Sequence, residues 1–417
     1  MRLSVLFLLS ACSNPLNVLG DDAADSVLLA DAGPLAHLGA AMGAEGAAAS
    51  DLFDADLTFD EAPNPSEWLA SEHTAHAQLP DGSGQTLSVL TFNTGLLNRT
   101  YLLSRVQVPF TDERAAVMGD EVLGAGHDIV FLQEVWEVED AERIESAAES
   151  LGYTVARPDT NKLQRETGLV MAVRSELMAD TPTANVVQYD AQWGSENFPG
   201  PNLKRGYVHW SFELAGSGAE VHLYNTHLTP FYDKWQTRNL QVRQLGLDIA
   251  GQSDDALVLV GGDFNAGWYY PDDTWTDAEG DDYPGWWRNP TMPALLSHYA
   301  GVTDLANLAE AVPEVVRGDA VSVETDSTWL DEPFGDETVC DGSDHFTATD
   351  CNSLYWTSYA ATEFPARMDL LFVRDGTGQL RARSRALAFV EPMDIGTDAP
   401  VELSDHFGQQ VTIELIE

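Results

Sequence analysis

The sequence predicts an α/β fold, in which strands and helices alternate along most of the 417-residue chain. Apolar runs of strand length alternate with segments of helix length, an order typical of layered α/β folds. Hydrophobic residues make up 44% of the chain and charged residues 21%, as in a globular protein with a packed core. The pattern runs from residue 85 to 417 without an internal repeat, so we expect one domain there.

Each element is predicted from its own pattern. Strands are expected at 87–92, 128–132, 168–173, 207–214, 220–225, 256–260, 368–373, 386–390 and 410–416. The last strand alternates Val411, Ile413 and Leu415 with polar residues, which is the period of a half-buried strand. Helices are expected at 113–123, 141–151 and 233–251, the second amphipathic and the third polar.

The N-terminus predicts export. Arg2 precedes an apolar run, 3–9, that is too short to span a bilayer. Together with Cys12, this start resembles a bacterial lipoprotein signal, which implies a signal peptide at 1–11 and a lipidated cysteine; an ordinary secretory peptide is the alternative. Residues 12–84 are rich in Ala, Asp and Gly and predict a low-complexity tether. We therefore expect a protein anchored by lipid to the bacterial outer membrane or cell surface, or released from it.

The charge balance is strongly negative. Asp and Glu number 67 against 21 Lys and Arg, which gives a formal net charge of -46. Such a surface repels nucleic acid and anionic lipid at long range, although adaptation to salty water explains it equally well. The charge does not exclude a phosphate substrate, because a bound metal ion reverses the sign of the field locally.

Two long insertions, 267–292 and 323–364, are rich in Trp and Tyr. Dense aromatic residues suit contact with a membrane interface, and packing as small local cores is the alternative. The second insertion contains Cys340 and Cys351. In an exported protein this pair favours a disulfide over a metal site.

Polar residues occur where the predicted strands end, or close to those points. A buried strand is expected to stay apolar until it leaves the sheet, so these positions suggest chemistry. Carboxylates and carboxamides suit a hard cation such as Mg²⁺, Ca²⁺ or Mn²⁺, and two histidines suit phosphoryl binding and protonation of a leaving group. The residues are Asn93, Glu134, His227, Asp263, Asn265, Asp369, Asp405 and His406.

Each of these residues alone also has a structural explanation. Glu134 fits a surface acid at a strand end, Asp263 a turn former after two glycines, and His406 a strand cap. Their joint occurrence in this order is much harder to obtain by chance. No Ser or Cys nucleophile motif accompanies them, so we expect attack by water.

These motifs resemble those of the endonuclease/exonuclease/phosphatase superfamily. The resemblance covers the chain from about residue 89 to the C-terminus and implies a four-layer sandwich of two mixed β-sheets flanked by helices, with the site at one end of the sheets. The matching segments are Leu-Thr-Phe-Asn at 90–93, Phe-Leu-Gln-Glu-Val at 131–135, Tyr-Asn-Thr-His-Leu at 224–228, Gly-Gly-Asp-Phe-Asn at 261–265, Arg-Met-Asp at 367–369 and Ser-Asp-His at 404–406.

The resemblance implies a metal site and a position for the attacking water. Glu134 would be the main metal ligand, with Asn93 and Asp405 assisting it. Asp263 would orient or deprotonate the water. A metal ion held there polarises the phosphoryl group and stabilises the charge that develops on it.

The resemblance also implies how the phosphate is held. Asn265 would bind it, and His227 and His406 would bind phosphoryl oxygens, one of them acting as the acid for the leaving group. Asp369 would fix the tautomer of a histidine. General acid–base catalysis by such groups typically contributes roughly 10²–10⁴-fold.

Several segments resemble bacterial neutral sphingomyelinases within this superfamily. They include Asn-Thr-His-Leu at 225–228, Lys-Arg-Gly at 204–206, Ser-Thr-Trp at 327–329 and Asn-Ser-Leu at 352–354. The likeness implies phospholipase C-type cleavage of sphingomyelin or a related phospholipid at a membrane surface. The long acidic insertions depart from that branch.

Three alternatives stay open at this point. The first is an extracellular nuclease of the same superfamily, which the negative charge alone does not exclude, because related secreted nucleases can be acidic. However, the sequence lacks the basic stripe, or the stacking platform flanked by Lys and Arg, that is typical of nucleic-acid binding. An inositol-phosphate phosphatase is the next alternative, although its Trp-x-Asp-Arg type segment is not found. A surface protein that binds lipid headgroups without turnover is the non-enzymatic alternative. Binding of nucleic acid is expected only for the nuclease.

Overall fold

The computed structural model of the chain describes residues 85–415 with gaps, and all of them lie in one compact unit, Pro63–Glu417. The gaps are 102–103, 158–166, 181, 193–203, 231–234, 269–273, 277–281, 285–302, 305–351, 353, 355–366 and 376–379. The signal peptide, the tether, the cysteine pair and most of the two aromatic insertions lie outside the described residues. Those expectations therefore stay predictions.

The described elements follow the predicted order. The helices are α1 (Thr111–Gly124), α2 (Val138–Leu151) and α3 (Trp235–Ala250), with a short 3-10 helix at Ser175–Leu177. The strands are β1 (Gln85–Asn93), β2 (Asn98–Tyr101), β3 (Ser104–Gln107), β4 (Ile129–Gln133), β5 (Tyr153–Ala156), β6 (Val170–Arg174), β7 (Thr183–Gln188), β8 (Gly206–Glu213), β9 (Glu220–His227), β10 (Leu257–Trp268), β11 (Thr274–Thr276), β12 (Asp282–Pro284), β13 (Thr303–Asp304), β14 (Arg367–Asp375), β15 (Leu380–Ala388) and β16 (Gly408–Leu415).

These strands form two six-stranded sheets and two small hairpins. The first sheet has the order β15-β16-β1-β4-β6-β5, and the second has the order β13-β14-β10-β9-β8-β7. In the first sheet β1 and β4 are parallel, and in the second β9 and β10 are parallel. The other neighbours in both sheets run antiparallel, so both sheets are mixed.

The two sheets pack against each other across an apolar core. Leu87 and Val89 of β1 lie in this core with Phe131 of β4 and Leu223 of β9. The alternate residue Leu90 packs with the helices on the opposite face of the first sheet. Successive side chains of a strand point to opposite faces, so β1 is buried on both sides and reads as a nearly continuous apolar run.

Helices cover both outer faces of the paired sheets. Met118 of α1 and Ile144 of α2 pack on the first sheet. Along α3, Val242, Leu245 and Ile249 are fully buried, and the α3 residue Asp248 hydrogen-bonds to Tyr207 and Tyr224 of the second sheet. The four-layer α/β sandwich expected from the sequence is therefore confirmed. None of the described helices is long and apolar enough to cross a membrane.

A buried pair of amides joins the two sheets. Asn225 of β9 donates through Nδ2 to the carbonyl oxygens of Leu132 at 2.8 Å and Val170 at 2.9 Å, both in the first sheet. Gln133 of β4 returns a hydrogen bond from Nε2 to Asn225 Oδ1 at 2.8 Å. Buried amides hydrogen-bond only in fixed geometry, so this pair fixes the offset between the ends of β4 and β9.

A histidine pair lies on the outer face of the second sheet, with His222 buried and His209 half-buried. Nε2 of His209 and Nδ1 of His222 are 2.8 Å apart, and the ring of His209 stacks on Tyr224 with centroids 4.4 Å apart. Burial, assisted by the charge of His222, lowers the pKa of His209 to about 4, and burial also lowers the pKa of His222. Both rings are therefore neutral in the folded protein at neutral pH.

Acidification is expected to destabilise the protein through His209. Its folded pKa is below the unfolded value of about 6.5, so its contribution is fully present above that value and is lost as the pH falls toward about 4. In His209→Gln the position no longer titrates. Between pH 7.5 and 5, urea denaturation should show the free energy of unfolding shifting by about 2 kcal/mol in favour of this variant relative to the parent, since about 1.36 kcal/mol is lost for each pH unit below 6.5. A difference that stays constant over this range would contradict the assignment.

Candidate active site

One end of the second sheet places three of the predicted residues side by side. Asp263 of β10 is paired in register with Asp369 of β14 and with His227 of β9. His227 Nε2 lies 3.3 Å from Asp263 Oδ2. All three side chains are buried. The strand register therefore brings together residues that are far apart in the sequence.

The first sheet contributes Asn93 and Glu134 at the same end. Asn93 is the last residue of β1, and Glu134 directly follows β4, whose parallel pairing with β1 puts both at one edge. Asn93 Nδ2 donates to Asp263 Oδ2 at 2.8 Å, which links the two sheets inside the site. Glu134 has a left-handed backbone, with φ of 61°, an uncommon conformation for a residue other than glycine.

The loop before β16 supplies Asp405 and His406. Nδ1 of His406 lies 2.8 Å from Oδ2 of Asp369. The preceding Ser404 donates from Oγ to the carbonyl oxygen of Asn93 at 2.6 Å, and the His406 N–H donates to that Oγ at 3.2 Å. The loop is thereby fixed to both sheets.

The two histidines of the site differ in charge. Burial lowers the pKa of His406, but the charges of Asp369 and Asp263 outweigh it and raise that pKa well above 6.5. Burial lowers the pKa of His227 well below 6.5, and the positive charges of Arg205 and His406 lower it further. At neutral pH His406 is therefore a cation and His227 is neutral.

Asp263 is poised between its two protonation states near neutral pH. Burial and the charge of Asp369 raise its pKa to about 6. The backbone N–H of Asn265 donates to its Oδ1 at 2.8 Å, while Asn93 holds its Oδ2. Asn265 also donates from Nδ2 to the carbonyl oxygen of Leu228 at 3.1 Å. A carboxylate oriented in this way suits a general base.

Glu134, Asn93 and Asp405 carry oxygen atoms of the type that a hard cation takes as ligands. Burial and the negative charge of Asp405 raise the pKa of Glu134 to about 7. A bound divalent cation would relieve this repulsion. Asn93 Oδ1 accepts the Gly95 N–H at 3.0 Å and keeps a second lone pair for a metal. Carboxylate and carboxamide oxygens are the ligands that Mg²⁺ and Ca²⁺ take in proteins.

A second group of residues also has metal-ligand spacing. Asp263, Asp369 and His406 offer ligand atoms within 4.8 Å of one another, a spacing that could hold a metal ion. However, Nδ1 of His406 and Oδ2 of Asp369 are engaged with each other at 2.8 Å, so these two atoms do not face a common ion. The Glu134 group offers carboxylate and carboxamide oxygens alone, the ligand type that hard cations take, so we favour it as the metal site. All eight predicted residues lie at this one end of the sandwich.

Arg205 is a charged residue of this site to which the sequence analysis assigned no role. It is 9% exposed, and its guanidinium carbon lies 5.6 Å from the centre of the Trp136 ring. Its positive charge lowers the pKa of both Glu134 and His227, so it lies close to both. The sequence feature that could have revealed Arg205 is the Lys-Arg-Gly segment at 204–206. Gly206 of that segment is paired with His227 in the sheet, which places Arg205 next to the site.

Arg114 is the second such residue, on α1. It is fully buried, and its charge acts on Asp405 and Glu134. The helical pattern of α1 places Arg114 on the buried face but says nothing about what it contacts. Its partners are backbone carbonyls from other parts of the chain, which no side-chain motif reveals.

Comparison with known proteins agrees with this geometry. A sequence model described as the Endonuclease/Exonuclease/phosphatase family matches residues 90–406. No curated protein sequence matches the chain. The solved structure of D. rerio TDP2 complexed with single strand DNA product is similar in fold, with a TM-score of 0.51 and 17% identity over 79% of this chain and 99% of that one.

Beta toxin 275-280 from Staphylococcus aureus is also similar in fold, with a TM-score of 0.50 and 13% identity over 78% of this chain and 99% of that one. At these identities the two structures support the fold and nothing finer. The family match spans well over half of the chain and runs from the Leu-Thr-Phe-Asn segment at 90–93 to the Ser-Asp-His segment at 404–406. The chain belongs to the endonuclease/exonuclease/phosphatase family, whose members are hydrolases that act on phosphoester bonds.

Proposed function

We propose that the chain is a metal-dependent phosphodiesterase that cleaves sphingomyelin or a related phospholipid by water attack. The observation that supports hydrolysis is that one site holds both a group suited to accept a proton and a group suited to donate one. Asp263 has a pKa of about 6, and His406 is held as a cation by Asp369. The first suits removal of a proton from water, and the second suits donation of a proton to the leaving group.

The residues around Asp263 orient it for this role. Asn93 and the Asn265 N–H hold its two oxygens, so the carboxylate cannot rotate away from the water. When the water attacks phosphorus, Asp263 takes its proton and His406 gives one to the departing oxygen. The phosphodiester is thereby split into an alcohol and a phosphomonoester, with no covalent enzyme intermediate.

Glu134, Asn93 and Asp405 would hold the divalent cation, and we propose Mg²⁺, with Mn²⁺ or Ca²⁺ as alternatives. The cation supplies polarisation of the phosphoryl group and neutralises charge in the transition state. Arg205 adds a fixed positive charge close to Glu134 and His227. A phosphoryl group between the cation and this guanidinium would be stabilised by both positive charges.

The charge of the protein favours a phospholipid with a zwitterionic headgroup over nucleic acid. With a net charge of -46, a polyanion is repelled, whereas sphingomyelin carries no net charge. Asn352, the first residue of the Asn-Ser-Leu segment that resembles sphingomyelinases, lies beside the site, because its Nδ2 donates to the carbonyl oxygen of Ser404 at 2.8 Å. This contact connects a residue of the sphingomyelinase-like segment to the loop that carries His406.

The same proposal includes the location of the protein. The start of the sequence resembles a lipoprotein signal, so we propose export and anchoring through Cys12 to the bacterial outer membrane or cell surface. A tether of residues 12–84 would let the catalytic domain reach a lipid surface. The aromatic insertions would contact that surface, because Trp and Tyr suit the headgroup layer.

The test is a side-by-side assay of two substrates with the purified protein. We expect release of phosphocholine from sphingomyelin vesicles in the presence of Mg²⁺, complete loss of that release with EDTA, and recovery when Mg²⁺ is added in excess. Plasmid DNA should be nicked far more slowly under the same conditions. Asp263→Asn serves as the inactive control for contaminating hydrolases.

Each other outcome excludes part of the proposal. Nicking of DNA that is equal or faster, without lipid turnover, would identify a nuclease of the family. Binding to vesicles without turnover of either substrate would identify a lipid-binding protein. Turnover that persists in EDTA would contradict the metal site.

A further inference from the structure

Arg114 forms a buried connection that the reaction itself does not use. The side chain is fully buried, and all of its hydrogen bonds in the described part of the chain go to backbone carbonyls. Nε donates to Pro109 at 3.0 Å, Nη1 to Thr94 at 2.8 Å and Leu403 at 3.1 Å, and Nη2 to Gly95 at 2.6 Å. Only the planar guanidinium offers this many donors in a rigid arrangement.

Two of the segments that Arg114 joins carry proposed metal ligands. Thr94 and Gly95 directly follow Asn93, and Leu403 precedes Asp405 by two residues. The first segment follows β1, whereas the second precedes β16. Arg114 therefore fixes the backbone next to two of the three oxygen donors.

The two segments are in very close contact. A Cβ atom added to Gly95 would lie 2.1 Å from Asp405 Oδ1, and Gly95 has a left-handed φ of 57°. Ser404 Oγ donates to the carbonyl oxygen of Asn93 at 2.6 Å. Because the contact leaves no space, a small shift of either segment changes the distance between the oxygens of Asn93 and Asp405.

We propose that Arg114 is a positioning residue that sets the affinity of the site for its divalent cation. It holds the Asn93 and Asp405 oxygens at the separation that one cation requires. The inference rests on the proposed function only in placing the metal at Glu134, Asn93 and Asp405. Residues that orient metal ligands without touching the metal typically affect metal affinity by roughly 10–100-fold.

The test compares Arg114→Lys with Arg374→Lys. Arg374 also donates to two carbonyl oxygens, those of Ile249 at 3.1 Å and Ser253 at 3.0 Å, but it lies at the opposite end of the second sheet from the site. Mn²⁺ binding is measured directly by electron paramagnetic resonance of the free ion. We expect Arg114→Lys to raise the Kd for Mn²⁺ about 10–100-fold and Arg374→Lys to leave it unchanged.

The Mg²⁺ dependence of activity is a second measurement, and a general loss of stability would not produce the result expected for it. For Arg114→Lys, the Mg²⁺ concentration that gives half-maximal rate should rise by the same factor, while kcat at saturating Mg²⁺ stays within a few-fold of the parent value. Equal Mn²⁺ affinity in the parent and the folded Arg114→Lys variant overturns the inference. So does an equal loss of affinity in Arg374→Lys.

A second variant covers the case in which Arg114→Lys does not fold. Gly95→Ala keeps the guanidinium but pushes the same two segments apart, and it should also weaken Mn²⁺ binding by about tenfold or more. Unchanged Mn²⁺ affinity in Gly95→Ala overturns the inference. If the parent protein itself binds no Mn²⁺, the proposed metal site fails, and that result is distinct from either variant result.

Discussion

Glu134→Gln is expected to lower kcat by about 10³-fold or more without unfolding the protein. Glu134 is the proposed main metal ligand, and its loss would remove the polarisation of the phosphoryl group, which is worth several kcal/mol; each 1.36 kcal/mol corresponds to about tenfold in rate. The measurement is turnover of sphingomyelin vesicles at saturating Mg²⁺, with circular dichroism to verify the fold. Glu139→Gln, an exposed acid nearby on α2, is the matched control and should keep full activity.

The same variant is expected to be at least as stable as the metal-free parent at pH 8. The pKa of Glu134 is raised from 4.5 to about 7. The contribution of neutral Glu134 to the free energy of unfolding is fully present below pH 4.5. It is lost as the pH rises through about 7, because ionisation is less favourable in the folded state. Gln cannot ionise, so the variant avoids that loss. A variant of near-normal activity, or a Tm in EDTA well below that of the parent, would contradict the role of Glu134.

His406→Ala is expected to lower kcat about 10²–10⁴-fold on substrates with a poor leaving group. Its raised pKa makes it a cation that can give a proton to the departing oxygen. A diester with p-nitrophenolate as the leaving group needs less assistance, so the loss on that substrate should be at least tenfold smaller than the loss on sphingomyelin. Equal losses on the two substrates would show that His406 binds the phosphoryl group but does not act as the acid.

Two further variants separate this role from a structural one. Asp369→Asn removes the charge that holds the His406 pKa high, and it should show the same dependence on the leaving group as His406→Ala. His127→Gln alters another buried histidine, whose Nδ1 lies 2.7 Å from Ser88 Oγ, and it should leave turnover on both substrates unchanged. Near-normal turnover of sphingomyelin in folded His406→Ala would exclude His406 from the reaction.

The order of the main strands and helices could be predicted from the sequence because their apolar patterns are strong. The strands β5 and β7 could not be predicted, because both lie at the edges of their sheets. In addition, most residues of β7 are exposed and show no apolar alternation. The start of α2 was predicted at 141 but lies at Val138, since its N-cap Glu137 makes no side-chain capping bond that a motif would reveal. β15 begins at Leu380, earlier than the predicted 386, on a stretch with alternating arginines.

The candidate site was predicted as residue types, and the structure supplies the contacts between them. Asp263 and Asp369 were both predicted, but only the antiparallel register of β10 and β14 makes them direct neighbours. Arg114 reaches the carbonyl oxygen of Leu403 across 289 positions of sequence. A side chain that bonds only to backbone carbonyls has no partner residue type to search for, so no motif could reveal it.

The sequence by itself determined the fold class, the family and the residue types at the strand ends, because these depend on local pattern and motif. Only the tertiary structure decided the charge state of each group. His227 and His406 are the same residue type, yet burial keeps the first neutral, while the neighbouring carboxylates of Asp369 and Asp263 keep the second protonated. A pKa depends on desolvation and on charges within a few ångströms, and those distances exist only after the two sheets have packed together.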